Sequence, residues 1–300
     1  MAEYNFWDDR TAECNDDMWC PIANDYCYDH TKCSDCDIQK EFDKYVDEEW
    51  NKKNSGGEQM QVYLLNNTPH PEETVAAAAR LCYSKEDIGD LWNPIEHKDN
   101  AKFINMLAEL RHESPFEHVT FTFGISGISR ACSHQLVRHR IASYSQKSQR
   151  YVDECQFEYV TPPAIRDNDV LESIYQDTMC MIESRYDMIR QALSSRYVEA
   201  GMAQKDAEKK ANEDARMVLP NACTTSIIVT MNVRSLWNFF KHRCCNRAQW
   251  EIRDMANRML KICQTVAPNL FRYAGPTCAV TGKCPEGKMS CGHPIKKEVI

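Results

Sequence analysis

The stretch from Gln135 to Tyr151, QLVRHRIASYSQKSQRY, crowds Arg138, His139, Arg140 and Arg150 among Ser143, Tyr144, Ser145, Gln146 and Ser148. Guanidinium groups bind phosphate oxygens through paired donors, and small hydroxyls fill the remaining acceptor positions. A segment of this make-up suits the oxygens of a nucleotide. The competing reading is a solvated basic loop.

The sequence around this stretch has a legible element pattern. Upstream, Phe116 to Ile125 (FEHVTFTFGI) alternates and is rich in β-branched and aromatic residues, which predicts a strand. Ser129 to Arg138 predicts a helix that runs into the basic stretch. Further upstream, Gln61 to Leu65 reads as a strand. Pro71 to Cys82 (PEETVAAAARLC) has the acidic first turn and alanine content of a helix, and Asn100 to Leu110 reads as another. Downstream, Val170 to Ala200 keeps helical periodicity until Gly201, and Lys205 to Arg216 predicts a second helix ending before Pro220. Thr224 to Met231 (TTSIIVTM) predicts a strand, and Arg234 to Lys241 and Arg247 to Val266 predict helices. The chain after Pro268 reads as loop. No tandem repeat is visible. The expectation is an α+β fold, helices in the majority, with long helices in a domain at 59–275.

Two appendages flank that domain. Residues 1–58 form an acidic, cysteine-rich extension with about ten more acidic than basic side chains. It closes on the polar linker NKKNSGGEQ. Residues 276–300 form a cysteine-rich tail. The 300-residue chain has a net charge of −8, a hydrophobic fraction of 43% and a mean hydropathy of −0.60. This composition permits a sizeable packed core and argues against a disordered chain. No apolar run is long enough to cross a bilayer, and MAEYNFWDDR is not a secretory leader, so a cytoplasmic location is expected. In a reducing compartment the sixteen cysteines are free, catalytic or metal-bound rather than disulfide-linked.

Further motifs follow one another along the chain: Arg111 to His118 (RHESPFEH), Ala215 to Pro220 (ARMVLP), Asn232 to Leu236 (NVRSL) with Asn238 and Phe239, then Arg243 and Ala248 to Ile252 (AQWEI). Together with Arg138-His139-Arg140, the following seven residues and Ser148, this set resembles the signature of the flavin-dependent thymidylate synthases (the ThyX family). The resemblance covers roughly residues 60 to 275. The head has no counterpart in that pattern.

The resemblance implies reductive methylation of dUMP to dTMP. FAD is the cofactor, NADPH reduces it, and methylenetetrahydrofolate supplies the carbon and leaves as tetrahydrofolate. No cysteine nucleophile is needed, and no Pro-Cys-His setting for one occurs here. Cys132, Cys155, Cys180 and Cys223 are expected to pack. By family position Arg243 is the catalytic cation against the pyrimidine ring. Gln135, Arg138, Gln146, Ser148, Gln149, Arg150, Arg216 and Arg243 are implied to hold dUMP. Ser114, Arg138, His139, Arg140, Gln146, Asn232, Arg234 and Asn238 are implied to hold FAD. His112 and His118 are expected to line the flavin pocket. The family's sites are shared between subunits of a homotetramer, which implies the same assembly here. No GxGxxG follows a strand, so a Rossmann site is not expected. Read on residue types alone, Arg243 is a helix-end cation facing the dipole, and Asn232 and Asn238 are capping or turn residues.

Two cysteine groups fall outside the motifs. Cys14, Cys20 and Cys27 are separated by five and then six residues, and Cys278, Cys284 and Cys291 repeat that spacing; Cys33 and Cys36 add a close pair. Each group is a candidate zinc site, alone or shared between head and tail, against the alternative of free thiols. The arginine cluster with zinc knuckles also fits a nucleic-acid-binding module, which the acidic head and overall charge disfavour. A silent relative that binds nucleotide and flavin without turnover is disfavoured because every required arginine is present. Metal binding by either cysteine group predicts at least about half an equivalent of zinc or iron per purified chain in elemental analysis.

Overall fold

The computed structural model describes residues 60–96 and 98–295 and, nearer the start, the backbone of 19–20 and 25–26. The chain divides into two compact units, Met1–Glu58 and Gln59–Ile300. In the first, β1 (Trp19–Cys20) pairs antiparallel with β2 (Asp25–Tyr26). The remaining head residues, with Cys14, Cys27, Cys33 and Cys36, lie outside the described residues.

The second unit is built on a four-stranded antiparallel sheet in the order β3 (Gln61–Asn67), β4 (Thr120–Ser129), β6 (Thr224–Asn232), β5 (Ser143–Gln146). Alternation along β4 and β6 sends Phe121, Phe123, Ile125, Ile227, Val229 and Met231 to one face. Helices α8 (Val233–Arg243) and α9 (Trp250–Val266) share that core through Leu236, Phe239, Phe240, Ile252, Met255 and Met259. Phe271 closes the packing edge-on, 5.3 Å from Phe121 between ring centroids. Full burial of each such side chain contributes about 1.5–3 kcal/mol, so this face holds the domain together. The other face exposes Tyr63, Leu65 and Ile228.

The remaining helices are α1 (Pro71–Leu81), α2 (Ile88–Glu96), α3 (Ala101–Glu109), α4 (Arg130–Leu136), α5 (Pro163–Arg166), α6 (Asp169–Glu199), α7 (Gln204–Ala215) and α10 (Thr277–Thr281). Asn168 caps α6, its Oδ1 accepting from the Leu171 N–H at 3.0 Å. The 31-residue α6 leaves Val170, Leu171, Ile174, Met188 and Ile189 exposed. Among the described residues no helix is long and apolar enough to cross a membrane.

Several elements depart from the sequence expectations. The strand expected from Phe116 starts instead at Thr120, because Ser114–His118 forms a 3-10 turn that buries Phe116 against Trp237, 4.5 Å away. It then continues to Ser129 past a register shift between Ile125 and Ile128, where Gly127 takes a φ of 70°. The β5 strand has no apolar alternation and pairs on the edge of the sheet through its backbone. Helix α2 carries Pro94 inside it, which hid it from propensity. Helix α9 starts at Trp250, not Arg247: Gln249 Oε1 accepts from the Glu251 and Ile252 N–H groups and fixes the start. The tail expected as loop contains α10.

One contact joins strand, helix and sheet cover. Glu251, 3% exposed, accepts from both the Ser129 N–H and the Ser129 hydroxyl at 2.6 Å. Ser129 Oγ in turn accepts from the Cys132 N–H at 2.9 Å and caps α4. Burial raises the Glu251 carboxyl above its ordinary value, and the two bonds from Ser129 oppose that rise. Removing the carboxylate leaves two buried donors without an acceptor. Glu251→Ala is therefore expected to lower the free energy of unfolding by about 3 kcal/mol. A urea titration reads this, and a loss below about 1 kcal/mol contradicts the role given to the clamp.

Candidate active site

Arg243 is the last residue of α8, a helix capped at its other end by Asn232, whose side chain accepts from the Ser235 N–H at 2.8 Å. Arg243 Nε donates to His139 Nε2 at 2.8 Å, and Nη1 donates to Gln135 Oε1 at 3.3 Å. An arginine cannot accept a hydrogen bond, so His139 is neutral with its proton on Nδ1. Burial first, then Arg243 and His242, push the imidazole down to about 4. Phe239 meets the imidazole edge-on at 4.9 Å. The chain after α4 is folded by the Tyr144 hydroxyl, which is shared between Leu136 O at 3.0 Å and His139 O at 2.7 Å. Burial pushes that phenol up to about 12. These bonds use two of the five guanidinium N–H groups of Arg243; among the described residues no other hydrogen bond engages the rest.

A second group forms around Glu213. Its carboxylate pairs with Arg150 Nε at 3.1 Å and Nη2 at 3.2 Å, and its carbonyl accepts from Arg216 Nε at 3.2 Å. Ser148 Oγ accepts from the Arg150 N–H at 3.2 Å. Arg130 Nη2 donates to Lys147 O at 2.8 Å; burial lowers its pKa, with Glu154 opposing. Gln146 donates to Ser133 Oγ at 2.8 Å and to Thr225 Oγ1 at 3.4 Å.

A third group is a cavity of about 570 Å³ lined by Arg111, Arg140, Arg234 and Lys241, by Glu113 and Glu117, and by Asn232, Asn238 and Trp237. Arg234 is held between Glu113, 2.8 Å from its Nε, and Glu117. Four cations against two carboxylates leave two positive charges in excess, matching the charge of a diphosphate bridge. Amides and an aromatic wall beside them suit a ring-bearing dinucleotide. The residues present fit FAD.

The structure thus sorts the expected residues. Gln135, His139 and Arg243 meet directly; Ser148, Arg150 and Arg216 gather near Glu213; and Arg140, Asn232, Arg234 and Asn238 line the cavity. Within one chain Ser114, Arg138, Gln146 and Gln149 are not part of the cavity lining, and neither are His112 and His118, both exposed. Asn232 caps α8, as its residue type suggests, and it also lines the cavity. Sequence reasoning missed Glu113, Glu117, Lys241 and Glu213. The first two lie in the RHESPFEH motif, and their partner Arg234 is 117 residues from Glu117, beyond any local pattern.

Burial raises the thiols of Cys132 and Cys155 and lifts Cys223 to about 12, which keeps all three protonated. Cys278, Cys284 and Cys291 are free and half-buried, and among the described residues no three His, Cys, Asp or Glu side chains are grouped to hold a metal.

A neutral His139 sets a pH signature. Its folded value lies below the ordinary value, so its effect on stability is absent above about 6.5. As pH falls from there toward about 4, the unfolded chain binds a proton that the folded one refuses, and stability drops. An NMR titration of the imidazole is expected to show a midpoint near 4. A midpoint near 6.5 contradicts the Arg243–His139 geometry.

Residues 63–269 match the family model described as thymidylate synthase complementing protein. The flavin-dependent thymidylate synthase of Clostridium tetani is 55% identical over 241 residues, covering 80% of this chain and 96% of that protein. That of Nitratidesulfovibrio vulgaris is 46% identical over 246 residues, covering 80% and 97%. That of Pyrococcus furiosus is 40% identical over 247 residues, covering 79% and 94%. The motif residues, the cavity and these matches agree: the chain belongs to the family of the flavin-dependent thymidylate synthases.

Proposed function

We propose that the chain methylates dUMP to dTMP in the cytoplasm, with FAD as cofactor and methylenetetrahydrofolate and NADPH as cosubstrates. The observation that carries this reading is Arg243, pinned by a neutral imidazole and an amide, with its other donors in no hydrogen bond among the described residues. Bound FAD supplies the redox chemistry of the methyl transfer. The chain's part is to bind, orient and stabilise charge.

Arg243 serves as the catalytic cation. It stays protonated, and its free N–H pair meets a pyrimidine O2 and N3 edge, where it stabilises negative charge developing on the ring. His139 keeps the guanidinium in place without adding a second positive charge, because its own proton sits on Nδ1. Gln135 fixes the plane of the fork. Arg150 and Arg216 take the phosphate of dUMP, with Ser148, Gln149 and Arg138 supplying further donors. Glu213 holds both arginines until the nucleotide arrives. Arg140, Asn232, Arg234 and Asn238 hold FAD in the cavity, and Ser114, His139 and Gln146 are proposed to complete its site.

Within one chain these groups are separate, and a homotetramer unites them: groups from neighbouring copies converge on one nucleotide. Exposed Tyr63, Leu65 and Ile228 on the sheet, and the apolar residues along α6, are the surfaces that support such an assembly. Arg243→Ala is expected to cut dTMP formation by at least about 100-fold while leaving the bound flavin spectrum intact. Turnover within about tenfold of the unchanged protein contradicts the assignment of Arg243.

A further inference from the structure

The match to the family model ends at residue 269, yet the wall of the cavity continues beyond it through Tyr273, Gly275, Thr277, Val280 and Thr281. This part of the chain is placed by specific contacts. Trp237 Nε1, also in the lining, donates to Leu270 O at 2.9 Å, and the Tyr273 hydroxyl donates to Glu109 Oε1 at 2.9 Å. Gly275 turns the backbone with a φ of 129°, a conformation a side chain strains to adopt. Helix α10 then lies along the cavity and stops at Gly282, whose φ is 74°.

The end of the tail returns to the loop between α8 and α9. Arg247 Nη1 donates to Met289 O at 2.8 Å and lies 3.4 Å from Glu286 Oε2; Asn246 Nδ2 donates to His293 O at 2.9 Å. That loop begins one residue after Arg243. The segment is therefore tied at both ends to elements that carry the proposed site, with its middle in the cavity lining.

We propose that the segment from Tyr273 into the tail is a retaining wall for the bound dinucleotide, with Tyr273, Thr277 and Thr281 as its contact residues and Arg247 and Asn246 as the positioning residues that hold it in place. The inference rests on reading the cavity as the FAD site. The wall adds no charged side chain to a cavity whose cations come from the rest of the lining, so it acts chiefly on escape of a ligand already bound.

The test uses the full-length holoprotein and follows FAD release by recovery of free-flavin fluorescence. The double variant Asn246→Ala with Arg247→Ala is expected to release FAD about tenfold faster, since such changes act on dissociation. The melting temperature of its flavin-free form and the half-saturating dUMP concentration at saturating FAD should stay unchanged. Arg247→Lys, which keeps a donor toward Met289 O, should restore slow release. Asn238→Leu, in the part of the lining contributed by α8, serves as the control on the cavity itself. Faster release from Asn238→Leu with unchanged release from the double variant overturns the retaining wall alone. Unchanged release from both overturns the reading of the cavity and the wall with it. Faster release from the double variant that tracks a fall in flavin-free melting temperature also overturns the proposal, because the tail then acts only on folding.

Discussion

The buried carboxylate of Glu251 is the joint on which the site's geometry depends. It accepts two hydrogen bonds from a single residue, Ser129, which is at once the end of β4 and the cap of α4. A carboxyl group in a dry interior is tolerated only when its hydrogen-bonding capacity is used, so the strand end, the helix start and α9 are locked to one arrangement. From that joint α4 runs to Gln135, and one turn later His139 faces α8. The distance between Arg243 and His139 is therefore set by packing several residues away from either.

The same interior decides the electrostatics. His139 lies against Phe239, which belongs to the buried side of α8, so the imidazole is dry enough to stay neutral beside a guanidinium. Arg150 and Arg234 are held differently, at the surface, by carboxylates that solvent also reaches. Exposed pairs of this kind are worth about 1 kcal/mol or less, so they exchange at small cost. Arg243 is pinned by half-buried partners, whereas Arg150 and Arg234 are paired exchangeably at the surface.

Much of the molecule was legible in the residues. The long helix beyond Asn168, the helix before Pro220 and the TTSIIVTM strand follow from periodicity and caps, which are local properties of each segment. Elements whose formation depends on distant partners were not legible. The polar β5 exists because β6 offers an edge, and the 3-10 turn at Ser114–His118 exists because Trp237 covers Phe116. The site divides along the same line. The motif arginines, Asn232 and Asn238 stand out by type and spacing. Glu213, Glu117 and Lys241 acquire meaning only from the arginines or the cavity they meet across the fold.

By itself the sequence pointed to the family and singled out the candidate residues, because donor count, charge and side-chain shape are properties of each residue alone. It also determined which segments coil and which extend, wherever the pattern of burial repeats locally. The tertiary structure alone decided that Arg243 rests on a neutral histidine, that Arg234 is shared between two glutamates, and that the tail forms a cavity wall. Those outcomes depend on distance and dielectric between groups tens to hundreds of residues apart, and neither quantity exists until the chain has packed.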